Sequence, residues 1–124
     1  MTVAALSTID LIALYDATFF DGGFTARYEA NGSLGPAGSG YAVSAAATQR
    51  TLPAEASFTS FAAAVEAMHA RYPAADAIGG WIDQGQLYLD PVEIHAERAT
   101  AERLGRLRKQ IAIYDLGNSA EIRL

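Results

Sequence analysis

The sequence predicts a single α+β domain over residues 1–124, with a twisted, mainly antiparallel sheet of about five to six strands and helices packed on one face. Three segments repeat apolar residues at the period of a helix, and between them lie pairs of short segments that alternate as strands do. Since the members of each pair follow closely on one another, we expect hairpins and the order α-β-β-α-β-β-α-β-β. The length of 124 residues suits one domain.

Composition restricts the chemistry and the compartment that we expect. Hydrophobic residues make up 51% of the chain, enough for a core, and there is no cysteine. This excludes disulfides, thiol catalysis and thiolate metal sites, and it suits a reducing compartment such as the cytoplasm. We expect no transmembrane helix, because no run of about 18 apolar residues occurs. A signal peptide is not expected either, because no basic segment precedes the first apolar residues.

The first helix is predicted over about residues 8–18. Ser7 and Asp10 have the spacing of a capping box, and Asp21-Gly22-Gly23 should stop the helix. The apolar residues at helical spacing are expected to pack inward: Ile9, Leu11, Ile12, Tyr15 and Phe19.

A strand at residues 24–29 and a return strand at residues 40–45 are predicted to form a hairpin. Residues 31–39 between them are dense in turn formers and should be a mobile loop. This glycine-rich loop joins two strands and has no lysine, so we do not expect it to bind phosphate. Residues 46–56, which contain Pro53, are predicted to be irregular.

The second helix is predicted over residues 58–72 and has the clearest amphipathic pattern. Ser57 or Thr59 should cap it and Pro73 should end it. His69 lies beside the apolar stripe and is expected to be a boundary residue. The stripe consists of Phe58, Phe61, Val65, Met68 and Tyr72.

Residues 79–90 are predicted to be the central hairpin. A turn at Gln84 and Gly85 places Ile82 opposite Leu87 and Trp81 opposite Tyr88. Trp81 is the only tryptophan, and we expect it to be largely buried between the hairpin and a helix. Asp90-Pro91 should break the second strand or place it at an edge of the sheet.

The last helix is predicted over residues 97–109, with a thin apolar stripe at Ala101, Leu104 and Leu107 that leads to Ile111. Gly105 costs about 1 kcal/mol in a helix and is expected to permit close approach to the sheet. Residues 111–116 are the most hydrophobic run and are predicted to be a central strand. Residues 121–124, after a turn at Gly117-Asn118, should be the final strand.

Charge is divided unevenly along the chain. Residues 1–97 hold three basic and eleven acidic groups, a net charge of −8, whereas residues 98–124 hold six basic and three acidic groups, a net charge of +3. The acidic body opposes non-specific nucleic-acid binding, and the basic helix lacks interleaved aromatic residues. The acidic charge fits either ordinary solubility or a basic partner.

The sequence does not present a catalytic constellation. Its two histidines are His69 and His95, and neither lies in a recognisable motif. His95 with Glu93 and Glu97 is the one local cluster of ligating types, and we do not expect it to bind metal. We predict that the protein is not an enzyme and uses no cofactor.

Five short motifs together resemble a family of small uncharacterised proteins carried by phages and integrating mobile elements. They are Gly-Gly-Phe-Thr at 22–25, Gly-Tyr-Ala-Val-Ser at 40–44, Gly-Gly-Trp at 79–81, Tyr-Leu-Asp at 88–90 and Ala-Ile-Tyr-Asp-Leu at 112–116. The resemblance covers most of the chain from Gly22 onward and carries no catalytic or binding residues. It implies an accessory gene of the kind that often acts on host machinery, including host defence.

Three functions follow as hypotheses. The first is a protein-interaction module that inhibits a host defence complex, in its most specific form an anti-CRISPR. It is expected to bind a host protein or nuclease complex with a basic surface, and to bind neither nucleic acid nor membrane directly. The second is a small hydrolase or transferase that uses His95 and nearby carboxylates. The third is a structural accessory protein that forms a homodimer through a sheet edge. For the first, the expected partner-binding residues are Asp83, Asp90, Glu93, Glu97, Tyr88 and Tyr41.

Overall fold

The computed structural model describes residues 6–45 and 50–124, which form one α+β domain with three helices and eight strands. The helices are α1 (Thr8–Asp21), α2 (Phe58–Arg71) and α3 (Arg98–Leu107). The strands are β1 (Gly23–Tyr28), β2 (Leu34–Pro36), β3 (Tyr41–Ser44), β4 (Arg50–Pro53), β5 (Ala77–Asp83), β6 (Gln86–His95), β7 (Ala112–Asp115) and β8 (Ala120–Arg123). The predicted fold class is confirmed, but the strand count is higher than predicted.

The sheet is built around β6, its longest strand. The strand order is β2-β1-β5-β6-β3-β7-β8, and all the described pairings are antiparallel. β5 pairs along one side of β6, while β3 and β4 share the other side: β3 pairs with its last residues and β4 with its first. The two strands that were not predicted, β2 and β4, lie in segments predicted to be a loop and an irregular connection.

The predicted hairpin between residues 24–29 and 40–45 is wrong. β1 pairs with β2 and β5, whereas β3 pairs with β6 and β7. The chain reverses earlier than predicted because the side chain of Asn31 accepts a hydrogen bond from the backbone of Ser33 (3.0 Å) and closes a tight turn. Residues 37–40 then cross to β3, and the Arg27 guanidinium donates to the carbonyl of Ala37 (3.2 Å).

All three helices pack on the same face of the sheet, as predicted. Leu87 and Leu89 of β6 belong to one core cluster with the buried residues of α1 and α2. Val43 pairs with Glu93, which points the same way as Leu87 and Leu89, and Val43 packs against Ala101 of α3. The opposite face carries a smaller cluster of Ala42, Ala77 and Val92, against which Leu116 packs.

α1 begins at the predicted residue but continues to Asp21, beyond the predicted end at about residue 18. Its inward face agrees with the prediction only in part, since Leu11 is buried and Tyr15 packs against the core. The hydroxyl of Ser7 accepts from the backbone N–H of Asp10 (3.1 Å), and Gly22 ends the helix at φ 81°. Its buried residues are Leu11, Leu14 and Thr18. The predicted inward residues Ile9, Ile12 and Phe19 are exposed, because apolar residues surround most of this helix and do not mark one side.

α2 confirms its predicted stripe. Phe61, Val65 and Met68 are buried, and Phe58 and Tyr72 pack against the same cluster while partly buried. The hydroxyl of Ser57 accepts from the backbone N–H of Ser60 (3.2 Å) and caps the helix.

The C-terminal part departs from its predicted burial. Leu107 and Ile111 were expected to continue the apolar stripe of α3, but they are 72% and 73% exposed. β7 is not central: it lies between β3 and the edge strand β8, and only Ile113 within it is buried. Gly105 does permit the expected close approach, since a β-carbon there would lie 3.0 Å from Cγ2 of Ile113.

The central hairpin has the predicted register, with Trp81 opposite Tyr88 and Ile82 opposite Leu87. Gln84 and Gly85 form its turn at φ 49° and 77°, the positive values that a tight hairpin turn requires. The expected burial of Trp81 is wrong, since 43% of this residue is exposed. The reason is the alternation of β5: the preceding residue, Gly80, faces the helices, where the ring of Phe24 fills the space above it.

Asp90-Pro91 does not break β6, which continues through the buried Pro91 to His95. The carbonyl of Pro91 accepts from the backbone N–H of Ala45 (2.7 Å). Its missing N–H would point the same way, so the proline removes one bond of the ladder next to the end of β3.

Within the part of the chain that the structure describes, no helix combines the length and apolarity of a membrane span.

Candidate interaction site on the β5–β6 hairpin

The turn half of the β5–β6 hairpin presents aromatic and acidic side chains on the sheet face opposite to the helices. Two cross-strand pairs point to this side, Trp81 with Tyr88 and Asp83 with Gln86, and Asp90 follows opposite Gly79. We call Trp81, Asp83, Gln86, Tyr88 and Asp90 the hairpin face. Ile82 and Leu87 point the other way, towards the core.

Trp81 and Tyr88 form a stacked pair at the centre of the hairpin face. Their ring centroids are 4.5 Å apart and their planes differ by 18°. Trp81 lies opposite Gly23 on β1, which offers no side chain to cover the indole. The two rings therefore cover each other while leaving nearly half of the tryptophan in solvent. A stack of this kind stabilises the hairpin by about 0.5–1.5 kcal/mol beyond area burial.

Carboxylates lie on both sides of this stack along the strands. Asp83 is exposed at the turn, and Asp90 is half-buried on the other side, where the Ser44 hydroxyl lies 3.4 Å from its Oδ1. The described residues in these cross-strand rows include neither lysine nor arginine. The formal charges of the described residues in these rows are therefore those of Asp83 and Asp90.

Of the six residues predicted to bind a partner, the structure brings together Asp83, Tyr88 and Asp90. The other three lie elsewhere. Tyr41 and Glu93 point to the helix side of the sheet, and Glu97 is the N-cap residue of α3, whose side chain does not cap the helix.

Glu93 is already engaged by a guanidinium. Arg108 donates to both of its carboxylate oxygens (3.1 Å each) and to the carbonyl of Ser44 (3.0 Å). His95 Nε2 lies 3.1 Å from Glu93 Oε1. This half-buried cluster fastens the end of α3 to β3 and β6, and its geometry is that of a structural ion pair. The described residues contain no group of three metal-ligating side chains.

A second titratable cluster lies between β1 and α2. The ring of Tyr28 stacks on His69 (4.3 Å between centroids, 25°). Burial, reinforced by the nearby Glu66, raises the pKa of Tyr28 above its ordinary value, and burial lowers the pKa of His69 while Glu66 opposes that shift. His69 Nδ1 is buried and has no hydrogen-bond partner among the described residues. These pKa shifts predict that the stability of the fold depends on pH.

An open groove of about 290 Å³ runs between α1 and the β1–β2 pair. The carboxylate of Asp10 lines it but already accepts a hydrogen bond from the backbone N–H of Leu34 (3.0 Å). Apart from Thr25, the other lining residues are apolar, so the groove supplies little with which to orient a ligand.

Trp81 is the site residue that sequence reasoning missed, since it was assigned to the core. The signal was present in the alternation: Trp81 has the same parity as Asp83 and, across the hairpin, pairs with Tyr88. A residue that shares a strand face with an exposed carboxylate is expected on the solvent side.

No protein-family model, curated protein or solved structure matches this chain.

Proposed function

We propose that the protein is a non-enzymatic interaction module that binds the basic surface of a partner protein through the hairpin face. The observation that carries this proposal is the stack of the exposed Trp81 on the half-buried Tyr88, flanked by Asp83 and Asp90 on one face of the sheet.

The arrangement has the composition of an interface centre. Tryptophan and tyrosine dominate the binding energy of many interfaces, because each buries a large rigid surface at low entropic cost. The stack holds both rings in place before a partner arrives, so little conformational freedom is lost on binding. Carboxylates at its margins would accelerate encounter with a basic surface and disfavour acidic ones.

The sharper form of this proposal is an inhibitor of a host defence complex, similar in action to an anti-CRISPR. The resemblance to mobile-element proteins supports it, together with the net charge of −8 over residues 1–97. A nuclease complex that binds nucleic acid has a basic groove, and an acidic hairpin with an aromatic centre is chemically suited to occupy it. Such complexes act in the cytoplasm.

The test is a differential capture from host lysate. The immobilised wild-type protein should retain a partner at fixed stoichiometry. Trp81→Ala and Asp83→Lys should each lower that recovery about tenfold or more, because one removes the aromatic centre and the other reverses a flanking charge. Phe19→Ala is the matched control, since Phe19 is a similarly exposed aromatic residue (49%) on the helix side.

Retention of the same partner by both hairpin variants would refute the proposal. A partner lost equally from the Phe19 variant would move the site to α1. If the partner is a nuclease complex, adding the wild-type protein should also reduce its cleavage of target DNA, whereas the hairpin variants should not.

A further inference from the structure

α1 exposes a large apolar surface on the side that faces away from the core. Ile9 is 80% exposed, Ile12 44%, Phe19 49% and Phe20 85%. At 3.6 residues per turn these positions and Asp16 lie on one side of the helix, opposite to its buried residues. We call Ile9, Ile12, Asp16, Phe19 and Phe20 the α1 face. Monomeric proteins rarely leave a contiguous apolar surface of this kind uncovered.

The charge around the α1 face indicates what could cover it. Residues 6–21 hold three aspartates and no basic residue. A helix that lies in a membrane surface is typically rich in lysine and arginine on its polar side, so a lipid occupant does not fit. The occupant should instead be a surface that is apolar and basic at once.

This chain carries such a surface at the end of α3. Leu107 and Ile111 are exposed there, as are Arg103, Arg106 and Lys109. We call these five residues the α3 end. Its apolar residues were predicted to be buried, and its cations belong to the segment with a net charge of +3. The α1 face and the α3 end therefore carry opposite charges, and each also exposes large apolar side chains.

We propose that two copies of the chain form a two-fold dimer in which the α1 face of each lies against the α3 end of the other. α1 packs on β1 at one end of the helix layer, and α3 packs on β3 and β7 at the other end. Let the helix layers of the two copies face each other, with the two-fold axis between them and at right angles to the line from α1 to α3. Rotation about this axis places α1 of each copy opposite α3 of the other. The same contact then forms twice and the assembly closes.

Two features of the fold are compatible with this geometry. α2 lies between α1 and α3 along the layer, and the small residues Ala63, Ala67 and Ala70 on its exposed side would let two layers approach closely. The hairpin face is on the other side of the sheet. The dimer goes beyond the proposed function, since it would leave both hairpin faces free to bind partners.

Sedimentation equilibrium of a charge-reversed pair tests the contact. Asp16→Lys and Arg103→Glu should each weaken dimerisation roughly tenfold or more, because each homodimer then has like charges at both contacts. An equimolar mixture of the two variants should recover the wild-type affinity, because their heterodimer pairs opposite charges at both contacts. Asp83→Lys, the same change of charge on the hairpin face, should leave the dimer intact.

A parallel pair tests the apolar part. Phe20→Ser and Leu107→Ser should each weaken dimerisation while far-UV circular dichroism shows an unchanged fold, since both residues are exposed. A wild-type protein that remains monomeric up to about 1 mM would overturn the proposal. So would a charge-reversed mixture that associates no better than its components, since that result indicates a contact between like elements. If Asp83→Lys dissociates the dimer, the interface is the hairpin face and the proposal fails.

Discussion

Replacing Gly80 by alanine tests which face of the hairpin points to the core. A β-carbon at this position would lie 2.6 Å from Cζ of Phe24 and closer still to Cε1. Carbon atoms rest at about 3.5–4.0 Å, so the ring would have to move by about 1 Å. The Phe24 ring is held by an edge-to-face contact with the fully buried Phe61, with ring centroids 6.3 Å apart and an angle of 77° between the ring planes.

The magnitude follows from two opposing contributions. Overpacking of this kind costs about 1–3 kcal/mol. Alanine in a strand recovers roughly 0.5–1 kcal/mol relative to glycine, because less backbone freedom is lost on folding. We expect Gly80→Ala to lower the free energy of unfolding by about 1–2 kcal/mol, with a decrease in the urea midpoint of roughly 0.5–1 M.

Gly79→Ala is the control, because Gly79 immediately precedes Gly80 on β5 and a side chain there would point to the opposite face. A β-carbon there would meet one methyl group, Cγ2 of Val92, at 3.2 Å, so we expect a change within about 0.5 kcal/mol. Phe24→Leu should reduce the cost of Gly80→Ala in a double-mutant cycle, since a smaller side chain can move aside. Equal costs at Gly79 and Gly80, or no coupling to Phe24, would refute the assignment of the faces.

Three further predictions follow from the same structure. Trp81→Ala should cost only about 1–2 kcal/mol in urea denaturation, mainly the lost stack, and a cost of about 3–5 kcal/mol, typical of a core tryptophan, would show that the residue is buried. Stability should fall as the pH drops below the ordinary histidine pKa, because burial lowers the pKa of His69 and the unfolded chain then binds a proton that the folded chain does not. His69→Phe keeps a ring against Tyr28 and should flatten the dependence of stability on pH, measured by urea denaturation from pH 7.5 to 5. Glu93→Gln should lower stability by roughly 1–3 kcal/mol, because Arg108 is left half-buried without its counter-charge, and should not change the rate of association with the captured partner. Asp83→Asn should instead slow association and reduce its salt dependence. If Glu93→Gln slowed association and Asp83→Asn did not, Glu93 would belong to the binding surface.

The hairpin could be predicted from the sequence residue by residue because its determinants are local. Gln84-Gly85 fixes the turn, and the turn fixes every pair from Trp81–Tyr88 to Ile82–Leu87. α2 was predictable for a similar reason, since its apolar residues occupy one side only. In both cases the pattern and the tertiary environment agree.

The short strands β2 and β4 could not be predicted because their pairing is imposed from elsewhere in the chain. β2 is Leu34–Pro36 and includes a glycine and a proline, which oppose strand formation. It forms because β1 pairs with it and because the carboxylate of Asp10 in α1 holds the N–H of Leu34. No pattern within three residues records such a contact.

Three of the six residues predicted to bind a partner lie together on the hairpin face, but Trp81 at its centre was predicted to be buried. The parity of Asp83, Tyr88 and Asp90 places them together, and the structure does so. Trp81 was assigned inward because large apolar residues usually are, yet the space on that side is filled by Phe24 above Gly80. In α1, the apolar residues surround the helix, so sequence alone did not show which of them would remain exposed.

Net charge is a poor measure of where this protein would attract a partner. The −8 of residues 1–97 includes Glu93, whose charge Arg108 compensates through two hydrogen bonds, and Asp10, whose carboxylate is used by the backbone of β2. Both carboxylates stabilise the fold, but only Glu93 has its charge compensated; the neutral N–H of Leu34 leaves Asp10 with its full charge. Asp83 on the hairpin face and Asp16 on the α1 face are exposed beside aromatic residues. Because these two positions lie on opposite sides of the sheet, one could guide a foreign basic surface while the other guides the basic end of a second copy, and reversal of either charge should separate the two associations.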